Sequence, residues 1–380
     1  MEDVKTPRIL NKEVLLLTVL AIIAVGAFIF TRHVAAREHL LEAQIAAFWY
    51  QRGMQYLQSG ENDKAIQWFR KSTATAPDNE RYVLALAAAL AAGNHDAEAE
   101  QMLLGLREAD PANTEINSQL ARLSAKQGSV ADAVHYYQSA LYANSAPAQA
   151  AVRRQLRIEF IRFLLAHQQR ELAASELLVL QSRTPNSAAA HIETARMFVA
   201  ADDPARAFEE YRRAAQLDDS NVEALGGAGE TAFQVGDYIS ARSYLRAALH
   251  ANPGDEKARQ LLTLTEMIER EDPLAAGLTP GAGLQRLVAG LERSRQRLER
   301  CPSQPADSQA GAEIQALKSE AAAAENKLRA ARQPADVQAL QAGVELIFRM
   351  QQAAAGYCGK AAAEDEALLM IGRQHHGEQP

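Results

Sequence analysis

The sequence predicts an all-α protein, a helical solenoid of about six repeats with an N-terminal transmembrane helix and a C-terminal helical bundle. Three observations predict it. Apolar residues make up 48% of the 380 residues but aromatics only 6%, so Ala and Leu carry the apolar share. Stacked helices need that composition, whereas sandwiches and barrels draw on β-branched and aromatic residues. An uncharged run, Val14–Thr31, lies near the N-terminus, and from residue 46 small and large residues recur with a 34-residue period.

Charge and cysteine content narrow the function. Lys plus Arg is 40 against Asp plus Glu 47, a net charge of −7. That balance argues against a general nucleic-acid binder, whose affinity is mostly phosphate neutralisation. Two cysteines cannot supply a four-thiolate zinc site, and the chain has no CxxC or CxxCH. There is also no HExxH, GxSxG, EF-hand or P-loop spacing; Gly356–Lys360 reads GYCGK, too short for a P-loop. No catalytic residue, cofactor or metal ligand is expected. His375 and His376 read as a solvated pair near the chain end.

Residues 1–13 are expected as a cytoplasmic tail and 14–31 as the membrane helix. At about 1.5 Å per residue the uncharged run spans roughly 27 Å, enough for a hydrocarbon core. A cleaved signal peptide is the competing reading, but its apolar region is shorter and ends in small residues. Here Phe28, Ile29 and Phe30 close the run, followed by Arg32. Lys5, Arg8 and Lys12 precede the span and Arg32 and Arg37 follow it, so the positive-inside rule leans towards a cytoplasmic N-terminus. The bulk of the chain then lies extracytoplasmically, as in a single-pass inner-membrane protein facing the periplasm. No proline occurs between Pro7 and Pro77, so the span is expected to continue through a helical connector, 32–45, into the first soluble helix.

The first repeat, 46–79, contains Trp49, Gly53, Tyr56, Gly60, Ala65, Phe69 and Pro77. The second, 80–113, keeps Leu86, Ala87, Ala99, Leu103 and Pro111; the third, 114–147, keeps Leu120, Ala121, Gly128, Ala133, Tyr137, Ala140 and Leu141. The frame then slips by Ala148–Arg153. A fourth repeat, 154–187, has Ala173, Leu177 and Pro185, and a fifth, 188–221, has Ala195, Phe198, Ala207, Tyr211 and Ala214. The sixth, 222–255, has Gly229, Gly236, Ala241, Leu245, Ala248 and Pro253. Small residues at the eighth and twentieth positions let paired helices approach, and large ones at the fourth, eleventh and twenty-fourth fill the space between neighbours. Ser145 and Pro147 open a helix running to about His167, longer than its counterparts, where the superhelix is expected to change direction.

These positions resemble the tetratricopeptide repeat, over residues 46–255. The resemblance implies a curved stack whose concave surface is lined by the first helix of each repeat and binds other proteins. Partner contacts in this family often come from the second, fifth, ninth, twelfth and thirteenth positions. Carried over, they are Tyr50, Met54 and Leu57 in the first repeat, and Arg122, Arg162 and Arg196 at the ninth position of the third, fourth and fifth. Ile158, Leu165, Ile192, Val199 and Phe233 lie on the same face. An arginine stripe beside apolar residues could hold an acidic or C-terminal carboxylate segment. Alternatively Glu159, Glu193 and Gln119, each three residues before its arginine, satisfy the stripe within each helix. Tyr50 and Met54 replace the lysine and asparagine of chaperone-tail clamps, so such tails are not the expected partner.

A charged helix, 256–272, reads as the cap such arrays need. A Gly/Pro/Ala-rich linker, 273–283, precedes a bundle, 284–372, and a disordered tail, 373–380. Three apolar stripes mark the bundle: Leu284, Leu287, Leu291 and Leu298; Ile314, Leu317, Ala321 and Leu328; Val337, Leu340, Val344 and Ile347. Pro302–Ser308 and Gln333–Pro334 separate them, and Asp365–Ile371 is expected as a last short helix. Short connections favour an up-down-up order. Cys301 and Cys358 then lie at one pole, either as a disulfide suited to an oxidising compartment or as two buried thiols.

The expected function is a membrane-anchored scaffold that binds or organises proteins in the cell envelope. Its layout resembles bacterial inner-membrane proteins that attend assembly, chaperoning or translocation. The alternatives are an accessory subunit of a membrane enzyme complex and a cytosol-facing regulatory scaffold of reversed topology.

Overall fold

The computed structural model describes residues 9–142, 150–301, 309–330 and 336–376. Lys5 and Arg8, Ser145 and Pro147, and the Pro302–Ser308 and Gln333–Pro334 connections lie outside them. The described residues form helices and no strand. They divide into two compact units, Met1–Phe163 and Leu164–Pro380.

The first unit opens with α1, Ile9–Gln58, one helix of 50 residues. Without a proline nothing interrupts it, so the apolar run and the first helix of repeat one are a single rod of about 75 Å. Among the described residues it is the one helix long and apolar enough to cross a membrane, and none of its apolar window is buried. Then come α2 (Asn62–Thr75), α3 (Glu80–Ala92), α4 (Asp96–Ala109), α5 (Thr114–Lys126), α6 (Val130–Tyr142) and α7 (Ala150–Ala166), whose last three residues belong to the second unit. At 17 residues α7 exceeds the 13 of α3 and α5.

In the second unit, α8 (Arg170–Ser182), α9 (Ala188–Ala200), α10 (Pro204–Leu217), α11 (Val222–Gln234) and α12 (Tyr238–Ala251) continue the helix pairs. After them come α13 (Glu256–Glu271), α14 (Pro280–Glu299), α15 (Gln309–Ala330), α16 (Val337–Tyr357) and α17 (Ala363–His376).

The turn inside each helix pair has one backbone requirement. Gly60, Asn94, Gly128, Gln168, Asp202 and Gly236 all have φ between 59° and 81°. Each is the fifteenth residue of its repeat in the frame above, including the repeats after the six-residue slip. Glycine enters that left-handed region freely, and Asn or Asp at modest cost. The frame's last position caps the following helix: Asn113, Ser187, Asn221 and Asp255 each accept a bond from a backbone N–H of the first turn.

Packing within a repeat follows from its smallest residue. A Cβ on Gly53 would meet the Phe69 ring at 2.6 Å, and one on Gly229 would meet Leu245 at 2.7 Å. The large twenty-fourth residue therefore rests on the small eighth residue of its own repeat, where the sequence had suggested a filler between neighbours.

The C-terminal helices show their directions through their contacts. Glu292 pairs with Arg329 and Arg295 with Glu325, so α14 and α15 run antiparallel. Glu313 meets Tyr357 and Glu320 meets Arg349, which makes α15 and α16 antiparallel too. Between α14 and α16 the pairs advance together: Gly343 faces Leu287, Gly290 faces Ile347, and Gln351 donates to Ser294. Cys301 and Cys358, 57 positions apart like Ser294 and Gln351, are joined by a disulfide with Cα atoms 4.6 Å apart.

Several sequence expectations need correction here. The segment read as a linker, 273–283, is packed at both ends: Pro273 and Gly283 are buried, Leu274 packs against the core, and α14 starts at Pro280 with Thr279 as its cap. Residues 373–376 are not a free tail, because α17 runs through them. His375 Nε2 lies 3.1 Å from Asp272 Oδ1, and His376 Nδ1 lies 2.8 Å from Glu345 Oε2. Val337 is 63% exposed, since it sits in the first turn of α16, level with the start of α14. The cap α13 is itself covered by α17, and one apolar core runs from Phe233 and Leu245 through Ile268 to Leu291 and Leu368.

Candidate protein-binding surface

The first helices of the repeats carry the expected contact positions, but not all of these reach a surface. Ile158, Ile192 and Phe233 are 1%, 7% and 8% exposed. They belong to the core, because a first helix divides its inner face between the open surface and its stacked neighbours. Tyr50, Met54 and Leu57 are half-buried against the core of the first three repeats. Tyr50 is further committed: Arg81 Nε donates to its hydroxyl at 3.1 Å and the guanidinium lies 4.8 Å over its ring. Arg122, Arg162, Arg196 and Val199 are exposed, and Leu165 is half-buried.

The arginines are not alike. Arg122 grips Glu159 with both Nε, at 2.9 Å, and Nη2, at 2.9 Å, and Tyr137 donates to the same carboxylate at 2.8 Å. That carboxylate raises the Arg122 pKa, while burial and the same hydrogen bond push the Tyr137 phenol well up. Arg196 makes a two-pronged pair with Glu223, which raises its pKa likewise. Neither arginine is satisfied within its own helix, as the i,i+3 spacing had suggested; both reach a different repeat. Arg162 has no ion pair among the described residues, and the second position of the following repeat is the uncharged Ala189.

The rule behind these pairs was in the sequence. Arg196 and Glu223 are a ninth and a second position, 27 residues apart. Glu230 and Lys257 occupy the same two positions with reversed charge, and Lys257 Nζ donates to Glu230 at 2.5 Å. Opposite charges 27 residues apart are the signal that identifies Glu223, Glu230 and Lys257. Together the pairs neutralise most of the expected stripe and tie repeat to repeat. What stays open in the first unit is a cleft of about 340 Å³ between α5 and α7, with exposed Val152 beside Arg122 and Glu159.

In the second unit the buried charges are structural. Glu210, fully buried, accepts from Gln181 Nε2 at 2.9 Å and lies 2.7 Å from His191 Nδ1. No group of three His, Cys, Asp or Glu able to hold a metal occurs among the described residues.

A family model described as tetratricopeptide repeat matches residues 56–123 and 198–265. No curated protein matches the chain. Among solved structures, the chain is similar to Pseudomonas aeruginosa pilF at 17% identity, covering 58% of this chain and 98% of that one, with a TM-score of 0.40. It is similar to PilW, described as a widely conserved type IV pilus biogenesis factor, at 20% identity over 58% and 99%, TM-score 0.41. YrrB, described as a TPR protein with an unusual peptide-binding site, is 16% identical over 50% and 95%, TM-score 0.38. Likenesses of this strength carry no functional inference. Helix pairs at a 34-residue period and the family model together make this chain an all-α protein bearing tetratricopeptide repeats.

Proposed function

We propose that this chain is a membrane-anchored scaffold that binds other proteins in the cell envelope, attending assembly, chaperoning or translocation there. The observation that carries the reading is α1. The apolar run and the first helix of the first repeat are one uninterrupted helix. Such a helix holds an interaction surface stiffly against the bilayer, which a flexible tether would not do. The inner-membrane location with an extracytoplasmic solenoid rests on the flanking charges, and the Cys301–Cys358 disulfide suits an oxidising compartment.

Repeats of this kind act by presenting a continuous curved surface, not a catalytic pocket. The exposed inner-helix positions are the proposed contacts, Arg162 in the first unit and Val199 in the second, with Leu165 half-buried. Arg162 is the cation left to meet an acidic segment.

Two experiments test the reading. Alkaline carbonate extraction of membranes should leave the full chain in the pellet, and its release into the supernatant would contradict the anchor. A photoreactive residue at Arg162 or Val199 should give adducts with another protein in living cells. The same residue at Leu178, on the second helix of its repeat, should give none; equal adducts at all three would remove the concave surface from the account.

A further inference from the structure

Beyond the apolar run, α1 carries large apolar side chains that stay about half exposed. Val34, Leu41, Ile45 and Phe48 are 43%, 58%, 46% and 48% exposed. Ala46, next to Ile45, is fully buried, and its carbonyl accepts from Ser72 Oγ at 2.9 Å. One side of the helix therefore serves the first repeat and another faces outward. With about 3.6 residues per turn, positions 34, 41, 45 and 48 fall on one stripe.

The same register continues towards the N-terminus. Leu17, Leu20, Ala24, Ala27, Thr31, Val34, Glu38, Leu41, Ile45 and Phe48 follow one another in strict steps of three and four. That is the spacing of a coiled-coil seam. Within the span it places Ala24 and Ala27, small enough for close approach of helices in lipid. Outside the span it places larger residues, where water makes burial favourable.

We infer that a second copy of the chain covers this stripe, forming a parallel, in-register two-stranded coiled coil. The inference rests on the anchored reading in one respect: two copies held by the same span emerge parallel and at the same height, so identical layers meet. Lipid cannot be the occupant throughout, since Leu41 to Phe48 stand about 15 to 26 Å along the helix beyond Thr31. The charges fit a second copy. In a parallel pair, the residue flanking the seam on one helix faces the residue five positions on in the other. Arg37 thus meets Glu42 of the second copy, and by symmetry the pair forms twice. Arg37 has no ion pair within the described chain. The charged layer places Glu38 against the second copy's Glu38, a repulsion that the second copy's Arg37 beside it offsets.

The test uses the full chain in its native membranes. Cys301 and Cys358 are bonded to each other, so an introduced cysteine is the free thiol. Mild oxidation of Leu41→Cys or Ile45→Cys should give a product of twice the chain mass, lost on reduction. Leu40→Cys and Ala43→Cys, on other faces of α1, should give little. Equal products at all four positions, or none at 41 and 45, would overturn the inference. So would a product of another mass, which would seat a different protein on the stripe. As a second variant, Leu41→Glu with Ile45→Glu should abolish the doubled mass seen with an amine crosslinker while the chain stays folded; an undiminished doubled mass would overturn the inference. Carbonate extraction of the same samples reports separately on the anchor, because a released chain that still crosslinks at 41 and 45 keeps the seam and loses only the membrane reading.

Discussion

At the C-terminal end of the repeats the chain completes its own core. Tyr238, Leu245 and Ile268 pack into the same cluster as Leu291, Ile347 and Leu368, and α17 lies on the capping helix. At the N-terminal end nothing comparable happens. There α1 projects with Leu40, Leu41, Ile45 and Phe48 exposed, before an apolar run that is exposed throughout. Covering an apolar helix face is favourable, and among the described residues one end finds its cover within the chain while the other does not. That contrast is the basis for the two proposals at α1, a bilayer around the apolar run and a second copy along the stripe beyond it.

The largest expected effect separates the two ends directly. Leu291, with no exposed area, should cost about 2–5 kcal/mol as Leu291→Ala, while Leu41→Ala in detergent-solubilised monomer should stay within about 0.5 kcal/mol. Denaturant midpoints of the two variants check this. Comparable losses would mean that α1 is covered after all, and the contrast would be gone.

Much of this contrast was legible in advance, and its limits are physical. The period, the fifteenth-position glycines Gly60, Gly128 and Gly236, and the shared pole of Cys301 and Cys358 could be read from spacing; whether those two cysteines bond could not. Gln168 could not, because nothing in its side chain announces a positive φ. The identity of Arg196's partner was missed because an ion pair between stacked helices depends on the stacking, although the 27-residue offset encodes it. Ile158, Ile192 and Phe233 were misplaced for a related reason: on an inner helix face, one position separates surface from core. The docking of α17 on α13 has no local signal, since it joins segments that are distant in sequence.

The disulfide should come next in size. Cys301→Ser with Cys358→Ser should lower the stability of the C-terminal helices by about 2–4 kcal/mol. Hydrogen exchange should show the loss in α14 to α17 and leave α2 to α6 unchanged. Uniform loss of protection would mean that the two units share one cooperative fold.

Two buried tyrosines sharpen the comparison further. Tyr137 donates to Glu159, whereas the Tyr238 hydroxyl is buried with no hydrogen-bond partner. Tyr137→Phe should therefore cost about 1–2 kcal/mol, and Tyr238→Phe should gain about 1 kcal/mol at neutral pH. Burial pushes the Tyr238 pKa up to about 12. The unfolded phenol loses its proton first, near the ordinary value of about 10, so above that pH the unfolded state binds fewer protons and stability falls as pH rises towards 12. Thermal melts at pH 8 and pH 11.5 should show a smaller alkaline loss in Tyr238→Phe than in the unaltered chain.

The smallest effect belongs to the exposed pair Arg196–Glu223. Arg196→Glu should cost under about 1 kcal/mol, and adding Glu223→Arg should restore it, since Glu230 and Lys257 already use the reversed order. A double-mutant cycle with no coupling would make the pair incidental to repeat stacking.

Cys301 and Cys358 report on whether the proposed scaffold is anchored with its bulk outside the cytoplasm. Intact cells would be treated with a membrane-impermeant thiol reagent, with and without prior reduction. An extracytoplasmic bundle should label only after reduction. Free thiols that label only once the membrane is broken would contradict it and turn the scaffold towards the cytosol.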